Sequence, residues 1–150
     1  MNTFGTVTIN GKTYLKRPRE YSYLLSGVSS NGSYVNTGVR LVLPGVADFM
    51  LMYLKRDTIV AGVSTARRFL ARFGNSDGNT WYQQGGLGGA TDRVIDTCLF
   101  GNGQFPYALQ APIIFGASAN IMLEVQDISN QGGTYDIYFS FGGIDLLPNG

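Results

Sequence analysis

Histidine is absent from the 150 residues of this chain, and cysteine occurs once. Without histidine the chain can form neither a Ser-His-Asp triad nor a Cys-His pair, and a histidine-ligated zinc site is also excluded. The single cysteine, Cys98, can form no disulfide within the chain and no cluster of thiolate ligands. Its apolar neighbours predict a buried thiol. Among common catalytic devices, these absences leave carboxylates, lysines, tyrosines and metals bound by oxygen.

Charged residues are also scarce, at 14% of the chain against about 25% in an average soluble domain. The net charge of +1 gives no support for nucleic-acid binding by the whole protein, so we expect no nucleic-acid partner. A weakly charged surface tends to associate, which indicates that partners cover some of its faces. No signal peptide opens the chain, and no apolar run reaches the ~18 residues of a spanning helix. The sequence therefore predicts no membrane span and a protein that is made or assembled in the cytoplasm.

The few charges are unevenly distributed along the chain. Residues 1–72 hold ten of the eleven basic residues and three acidic ones, whereas residues 73–150 hold one basic and seven acidic residues. Two interpretations of the basic residues near the start stay open. They are charges scattered over solvent-facing loops, or they belong to a basic N-terminal arm, residues 1–20, that docks on an acidic surface. The candidate partner-binding residues of this arm are Lys12, Lys16, Arg17 and Arg19.

Short alternating segments and 21 glycines predict an all-β protein. Asn10-Gly11, between residues 6–9 and 12–15, is a strong hairpin signal, because Asn-Gly supplies the positive φ angles of a two-residue turn. Pro18 is expected to break the strand that follows, because proline cannot continue a central strand. Residues 49–54 are apolar throughout and predict a strand covered on both sides.

The last third of the chain carries the clearest pattern. Residues 119–126 and 134–141 alternate on either side of a loop of turn formers, which predicts an antiparallel hairpin. Its expected apolar faces are Ile121, Leu123 and Val125 on one strand, and Tyr135, Ile137, Phe139 and Phe141 on the other. Residues 67–73 favour a strand, and residues 94–100 suit either a strand or a helical turn. We expect one domain over residues 1–150, folded as an antiparallel β-sandwich or jelly roll.

Polar motifs give little indication of catalysis. Two pairs of acids are close in sequence, Asp92 with Asp96 and Glu124 with Asp127, but spacing alone does not place two carboxylates across a cleft. Residues 77–79 lack the rest of an EF-hand loop, and residues 85–91 lack the Gly-Lys-Ser/Thr ending of a phosphate-binding loop. We therefore predict no enzymatic activity, no catalytic residues, no cofactor and no metal.

Two aromatic constellations have alternative interpretations. Trp81 and Tyr82 interrupt a long Gly-rich loop, residues 75–91, and would form a sugar-stacking or protein-binding patch, or else fold back onto the core. Arg67 and Arg68, beside Phe69 and Phe73, suit either nucleic-acid contact by charge and stacking or solvation on a strand.

Three segments resemble the small β-rich structural proteins of tailed-bacteriophage virions. They are residues 48–51, residues 103–112 and residues 119–144. In such proteins a strand precedes a Gly-x-x-Pro-x-x-Leu-x-x-Pro segment, and a hairpin then ends in an apolar strand closed by glycine. The resemblance implies a virion component, such as a capsid decoration (cement), minor capsid or neck protein. It implies no catalytic residues.

The sequence thus predicts a non-enzymatic structural protein of a bacteriophage virion. We expect a capsid decoration or minor capsid protein that stabilises the joints between subunits, with the major capsid protein or other virion proteins as partners. It would act as a homo-oligomer, expected to be a trimer, with residues 1–20 and 75–91 as contact regions. Two alternatives stay open: a receptor- or glycan-binding knob or spike module that uses Trp81 and Tyr82, and a component of the head-to-tail neck.

Overall fold

The computed structural model describes residues 5–30, 35–75, 81–82, 94–102 and 104–149, with the backbone alone for residues 35–40, 81–82, 94 and 98–99. In these residues the chain forms β1 (Thr6–Ile9), β2 (Lys12–Ser29), β3 (Val35–Val42), β4 (Asp48–Val60), β5 (Val63–Ser64), β6 (Phe69–Asn75), β7 (Trp81–Tyr82), β8 (Val94–Ile95), α1 (Asp96–Leu99), β9 (Gly101–Asn102), β10 (Tyr107–Phe115), β11 (Asn120–Asp127) and β12 (Thr134–Pro148).

Two sheets form a β-sandwich, which confirms the predicted fold class. The first sheet has the order β1-β2-β12-β4-β10, with β5 and β9 added to β4. The second sheet has the order β3-β11-β6-β7, with β8 added to β6. All pairs are antiparallel except the short β4–β9 pair, which is parallel.

The predicted hairpin over residues 119–141 is wrong in its pairing. Both segments are strands, but β11 pairs with β3 and β6, whereas β12 pairs with β2 and β4. The chain crosses between the sheets after β11, where Gly132 and Gly133 have positive φ angles of 73° and 70°. Alternation identifies a strand and its buried face, but it does not identify the neighbouring strand. The apolar faces of β11 and β12 are both buried as predicted, on opposite walls of one core.

The core between the sheets is rich in phenylalanine. The ring of Phe100, which follows α1, lies 5.1 Å from Phe139 and 6.5 Å from Phe141. Edge contacts join Phe69 to Phe139 at 5.9 Å and Phe73 to Phe141 at 6.1 Å, an arrangement that aromatic rings favour. Because these rings come from both sheets and from the residue that follows α1, they hold the two layers together.

The strand β2 continues through Pro18, so the expected break is wrong. The N–H of Lys16 donates to Gly5 O at 2.9 Å, on the side of β1. Two residues further on, Pro18 faces the same side, so its missing N–H falls on the sheet edge and the pairing with Ile144 of β12 is preserved.

Other local predictions have mixed outcomes. The Asn-Gly hairpin is confirmed, since Asn10 and Gly11 have φ angles of 50° and 76° between β1 and β2. Residues 67–73 fall largely in β6, and residues 94–100 combine a short strand with a helical turn. Residues 49–54 lie in β4, but only one face is covered, because Leu51 is fully buried while Met52 is 42% exposed.

Candidate functional site

Two of the predicted partner-binding arginines contact an acid of their own chain. Asp145 of β12 is buried and accepts hydrogen bonds from Arg17 Nη2 at 2.8 Å and from Tyr21 Oη at 2.9 Å. Arg19 Nε lies 3.8 Å from the same carboxylate, and its guanidinium lies 5.4 Å from the centre of the Tyr21 ring. Arg17 and Arg19 therefore pair with a buried acid of their own chain, and docking of the arm on an acidic surface stays a prediction.

The two predicted lysines lie on the opposite face of the same strand. Side chains alternate along β2, so Lys12 and Lys16 point away from the face that carries Arg17. Lys12 is exposed and Lys16 is half-buried. The basic arm is thus divided, with its arginines in an internal ion-pair cluster and its lysines on the outer face of the first sheet.

The acid pairs noted in the sequence do not form carboxylate pairs in the described residues. Asp92 lies outside those residues, whereas Asp96 is fully buried and accepts from Arg56 Nη2 and, at 3.0 Å, from Arg68 Nε. Glu124 and Asp127 lie on opposite faces of β11, because their burial follows the alternation of the strand. Glu124 accepts from Arg72 Nε at 2.5 Å on the outer side of the second sheet.

Asp127 accepts several hydrogen bonds at the point where the chain leaves the second sheet. Ser129 Oγ donates at 2.6 Å, Tyr135 Oη at 2.9 Å and the N–H of Asn130 at 3.0 Å. Burial alone would raise the pKa of this carboxyl, but the hydrogen bonds from Ser129, Asn130 and Tyr135 outweigh it and lower the pKa. Burial raises the pKa of Tyr135, and its bond to Asp127 adds to that increase. This network fixes the crossover between the sheets.

Arginines 67 and 68 are also engaged, and the adjacent rings are inaccessible. Arg67 Nη1 donates to Gln131 Oε1 at 2.6 Å, and Arg68 Nη2 donates to Thr97 Oγ1 at 2.9 Å. Phe69 and Phe73 are fully buried. Neither ring is available to stack on a base.

The outer face of the first sheet carries an apolar zone close to the β1–β2 hairpin. The register brings Ile114 of β10 beside Met50 of β4 and Met50 beside Ile144 of β12. Ile114 is 45% exposed, whereas Leu146 lies at the bottom of the zone at 2%. The zone also includes a shallow cavity of about 230 Å³, lined by Ile9, Asn10, Lys12, Tyr14, Asp48, Ile114 and Leu146.

A polar cluster bounds the apolar zone. Tyr53 Oη donates to Glu20 Oε2 at 2.9 Å, and Lys55 Nζ lies 3.0 Å from Glu20 Oε1. Burial tends to raise the pKa of Glu20, but the bonds from Lys55 and Tyr53 leave the pKa below its usual value. Beyond this cluster, Leu24 and Tyr138 are 46% and 43% exposed.

Comparison of the chain with protein-family models, with curated proteins and with solved structures finds no match. Within the described ranges, no group of three or more His, Cys, Asp or Glu residues is arranged to hold a metal ion. No helix among the same residues is long and apolar enough to cross a membrane.

Strand addition is obstructed at two places along the edges of the first sheet. Pro18 interrupts the donors on the edge of β2, as described above. In β10 the register against β4 shifts between Ala108 and Ile113, so a bulge that contains Pro112 interrupts that edge. Natural sheets use both devices to prevent edge-to-edge pairing. These two interruptions disfavour the addition of another strand to the first sheet.

Several sequence predictions fall outside what the structure describes. Trp81 and Tyr82 form β7, opposite Gly74 and Phe73 of β6, so the predicted loop of residues 75–91 is interrupted by a strand. The side chains of Trp81, Tyr82 and Cys98 lie outside the described residues, as do residues 77–79 and 85–91.

Sequence reasoning missed the apolar zone and an exposed aromatic residue, Phe105, which is 67% exposed. The zone arises where five strands meet, so its members are dispersed through the chain. The available signal was the alternation of Ile144, Asp145 and Leu146, which would have placed Asp145 and Leu146 on different faces.

Proposed function

We propose that this protein is a non-enzymatic structural component of a bacteriophage virion that decorates or cements the capsid. In this proposal the outer face of the first sheet lies on the major capsid protein. The observation that carries the proposal is the apolar zone around Ile114, Met50 and Ile144, in which Ile114 is 45% exposed and the other two side chains are half-buried. Apolar patches of this kind on a folded domain are typical of interaction sites.

The composition of the zone suits a stable protein partner. Burying apolar side chains contributes about 25 cal/mol per Å² removed from water, and stable interfaces bury about 1,600 Å² in total. Lys12 and Asp48 border the cavity in the zone, and their opposite charges would orient a partner. On a symmetric capsid the same contact would recur at every equivalent position, so that many modest contacts would act together.

The acids of the described residues support a structural function. Asp96, Asp127 and Asp145 are buried, and each is bound by partners that hold folded segments together. Asp96 anchors α1 to β4 and to Arg68, just before β6, while Asp127 anchors the crossover and Asp145 joins β12 to β2. Carboxylates that accept such hydrogen bonds stabilise the fold.

Copy counting by mass spectrometry of purified particles tests the location on the virion. A decoration or minor capsid protein is expected in hundreds of copies. A component of the head-to-tail neck, the alternative within the same class, is expected in roughly a dozen copies, as ring symmetry requires. Absence of the protein from particles would refute the proposal.

Two variants test the surface. Ile114→Asp places a charge in the apolar zone, whereas Ile128→Asp places one at a similarly exposed isoleucine, 41% against 45%, at the crossover between the sheets. We expect Ile114→Asp to weaken binding to capsids stripped of the protein at least ~10-fold, and Ile128→Asp to leave it unchanged. Equal binding by both variants would exclude the outer face of the first sheet as the surface that binds the capsid. Failure of the unmodified protein to bind, together with a monomeric mass in solution, would exclude the capsid role and the expected homo-oligomer.

A further inference from the structure

A second concave region lies on a different part of the molecule, where α1, β9 and the following loop meet β4. This Phe105 cleft encloses about 280 Å³ and is lined by Arg56, Thr97, Phe100, Gly101, Asn102 and Phe105. It combines a buried aromatic floor, an exposed aromatic rim and a few polar groups, which is the usual composition of a small-ligand site.

The backbone at Phe105 and the residue before it is held by a neighbouring side chain. Asn102 Oδ1 accepts the N–H groups of Gln104 at 2.9 Å and of Phe105 at 2.6 Å. The loop also packs tightly on Gly101, where a Cβ atom would lie 2.0 Å from Phe105 O. Because the backbone at Phe105 is already constrained, the protein loses little additional conformational entropy when a ligand stacks on the ring.

The polar side of the cleft has an excess of positive charge. Arg56 Nη2 and Arg68 Nε share the single carboxylate of Asp96, so these three side chains carry a net charge of +1. Arg56 donates no other hydrogen bond to a described residue, and its Nε has no partner. Because this Nε is buried, an anion in the cleft would be bound by the N–H groups of the two Nη atoms that Asp96 does not use, and a carboxylate matches the planar geometry of that pair.

We propose that the Phe105 cleft binds a sugar that carries a carboxylate, such as a uronic acid. The carboxylate would pair with Arg56, and the apolar C–H face of the sugar ring would stack on Phe105. Sugar hydroxyls would bond to Thr97 Oγ1 and to Asn102 Nδ2, which stays available because Oδ1 is occupied by the loop. The acid in contact with Arg56 is Asp96, and because it is paired with two arginines the polar side of the cleft stays positively charged. This saccharide site goes beyond the proposed capsid contact and uses a different surface.

Titration of the isotope-labelled protein with three probes, followed by amide chemical shifts, tests the proposal. The probes are sodium glucuronate, glucose and sodium acetate. We expect glucuronate to shift the amides of Thr97, Gly101 and Phe105, and to bind at least ~10-fold more tightly than either glucose or acetate. High salt should weaken the glucuronate interaction.

Three variants identify the groups that bind. Phe105→Ala should reduce glucuronate affinity at least ~10-fold, whereas Tyr138→Ala, at an exposed ring on the outer face of the first sheet, should not. Arg56→Lys keeps the charge beside Asp96 but loses the planar fork, so it should reduce the preference for glucuronate over glucose. Thermal unfolding of each variant verifies that the fold is retained.

Several results would overturn the saccharide site. Equal affinities for glucose and glucuronate would show that the carboxylate, and with it Arg56, contributes nothing to binding. Equal affinities for acetate and glucuronate would show that the sugar ring contributes nothing. Tighter binding of N-acetyl-phenylalanine than of glucuronate would assign the cleft to peptides. Unchanged binding by Phe105→Ala, or no binding by the unmodified protein, would also refute it. Glucuronate binding without capsid binding would refute the proposed function alone.

Discussion

The ring of Tyr53 occupies the space directly above Gly142, where a Cβ atom would lie 1.9 Å from Tyr53 Cζ. The absence of a side chain at Gly142 lets the ring of a β4 residue cross β12 and donate its hydroxyl to Glu20 of β2 at 2.9 Å. The three central strands of the first sheet are thereby joined on their outer face. The same contact marks the boundary between the apolar zone and the more polar part of this face.

Gly142→Ala should therefore destabilise the fold. The added methyl group would displace the Tyr53 ring and break its bond to Glu20, at a cost of about 1–3 kcal/mol in the free energy of unfolding. Gly116→Ala is the matched control, because a Cβ atom there meets no atom within 4 Å. Urea denaturation of both variants measures the difference. Equal stabilities would show that Tyr53 moves aside without loss.

Asp145→Ala should also destabilise the protein, by removing the acceptor shared by Arg17 and Tyr21. Asp145 is almost fully buried, but Arg17 is 34% exposed and regains water, so we expect a loss of about 1–3 kcal/mol. A double-mutant cycle with Arg17→Ala, followed by urea denaturation, isolates the pair. A coupling energy near zero would contradict the assignment of Arg17 to this internal cluster.

Local patterns predicted the strands of this fold well, because alternation and turn residues act over a few residues. The Asn10-Gly11 turn and the buried faces of β11 and β12 followed directly from such patterns. Pairing did not, since β12 could complete its hydrogen bonds with β11 or with the distant strands β2 and β4. The choice depends on packing two apolar faces against each other across the core, and that is a property of the whole domain.

The candidate surfaces were harder to predict than the fold. Arg17 and Arg19 had the residue type of a partner-binding arm, but both pair with Asp145, more than a hundred residues away in the same chain. Phe105 is an apolar residue of a type that usually lies in the core. Its backbone packs on Gly101, and its side chain is exposed. In both cases the decisive contact joins segments that the sequence does not place together.

The hydrogen bonds to Asp127 predict a loss of stability in acid. They hold the pKa in the folded state below that of the unfolded chain, so the stabilisation is complete above the unfolded value of about 3.9 and is lost as pH falls through the folded value. Ser129→Ala removes one donor and should flatten the decrease that occurs below about pH 4. Urea denaturation at a series of pH values checks this, and an unchanged slope would show that other acids dominate.

Truncation of two phenylalanines that line the Phe105 cleft should have very different effects on the free energy of unfolding. Phe100 is 1% exposed and contacts rings from both sheets, so Phe100→Ala should cost about 3–5 kcal/mol through lost burial and a cavity. Phe105 is 67% exposed, so Phe105→Ala should change stability by less than about 0.5 kcal/mol. Urea denaturation of both variants provides the comparison. A large loss for Phe105→Ala would mean that the ring supports the fold, whereas the expected small change would show that the fold does not require it.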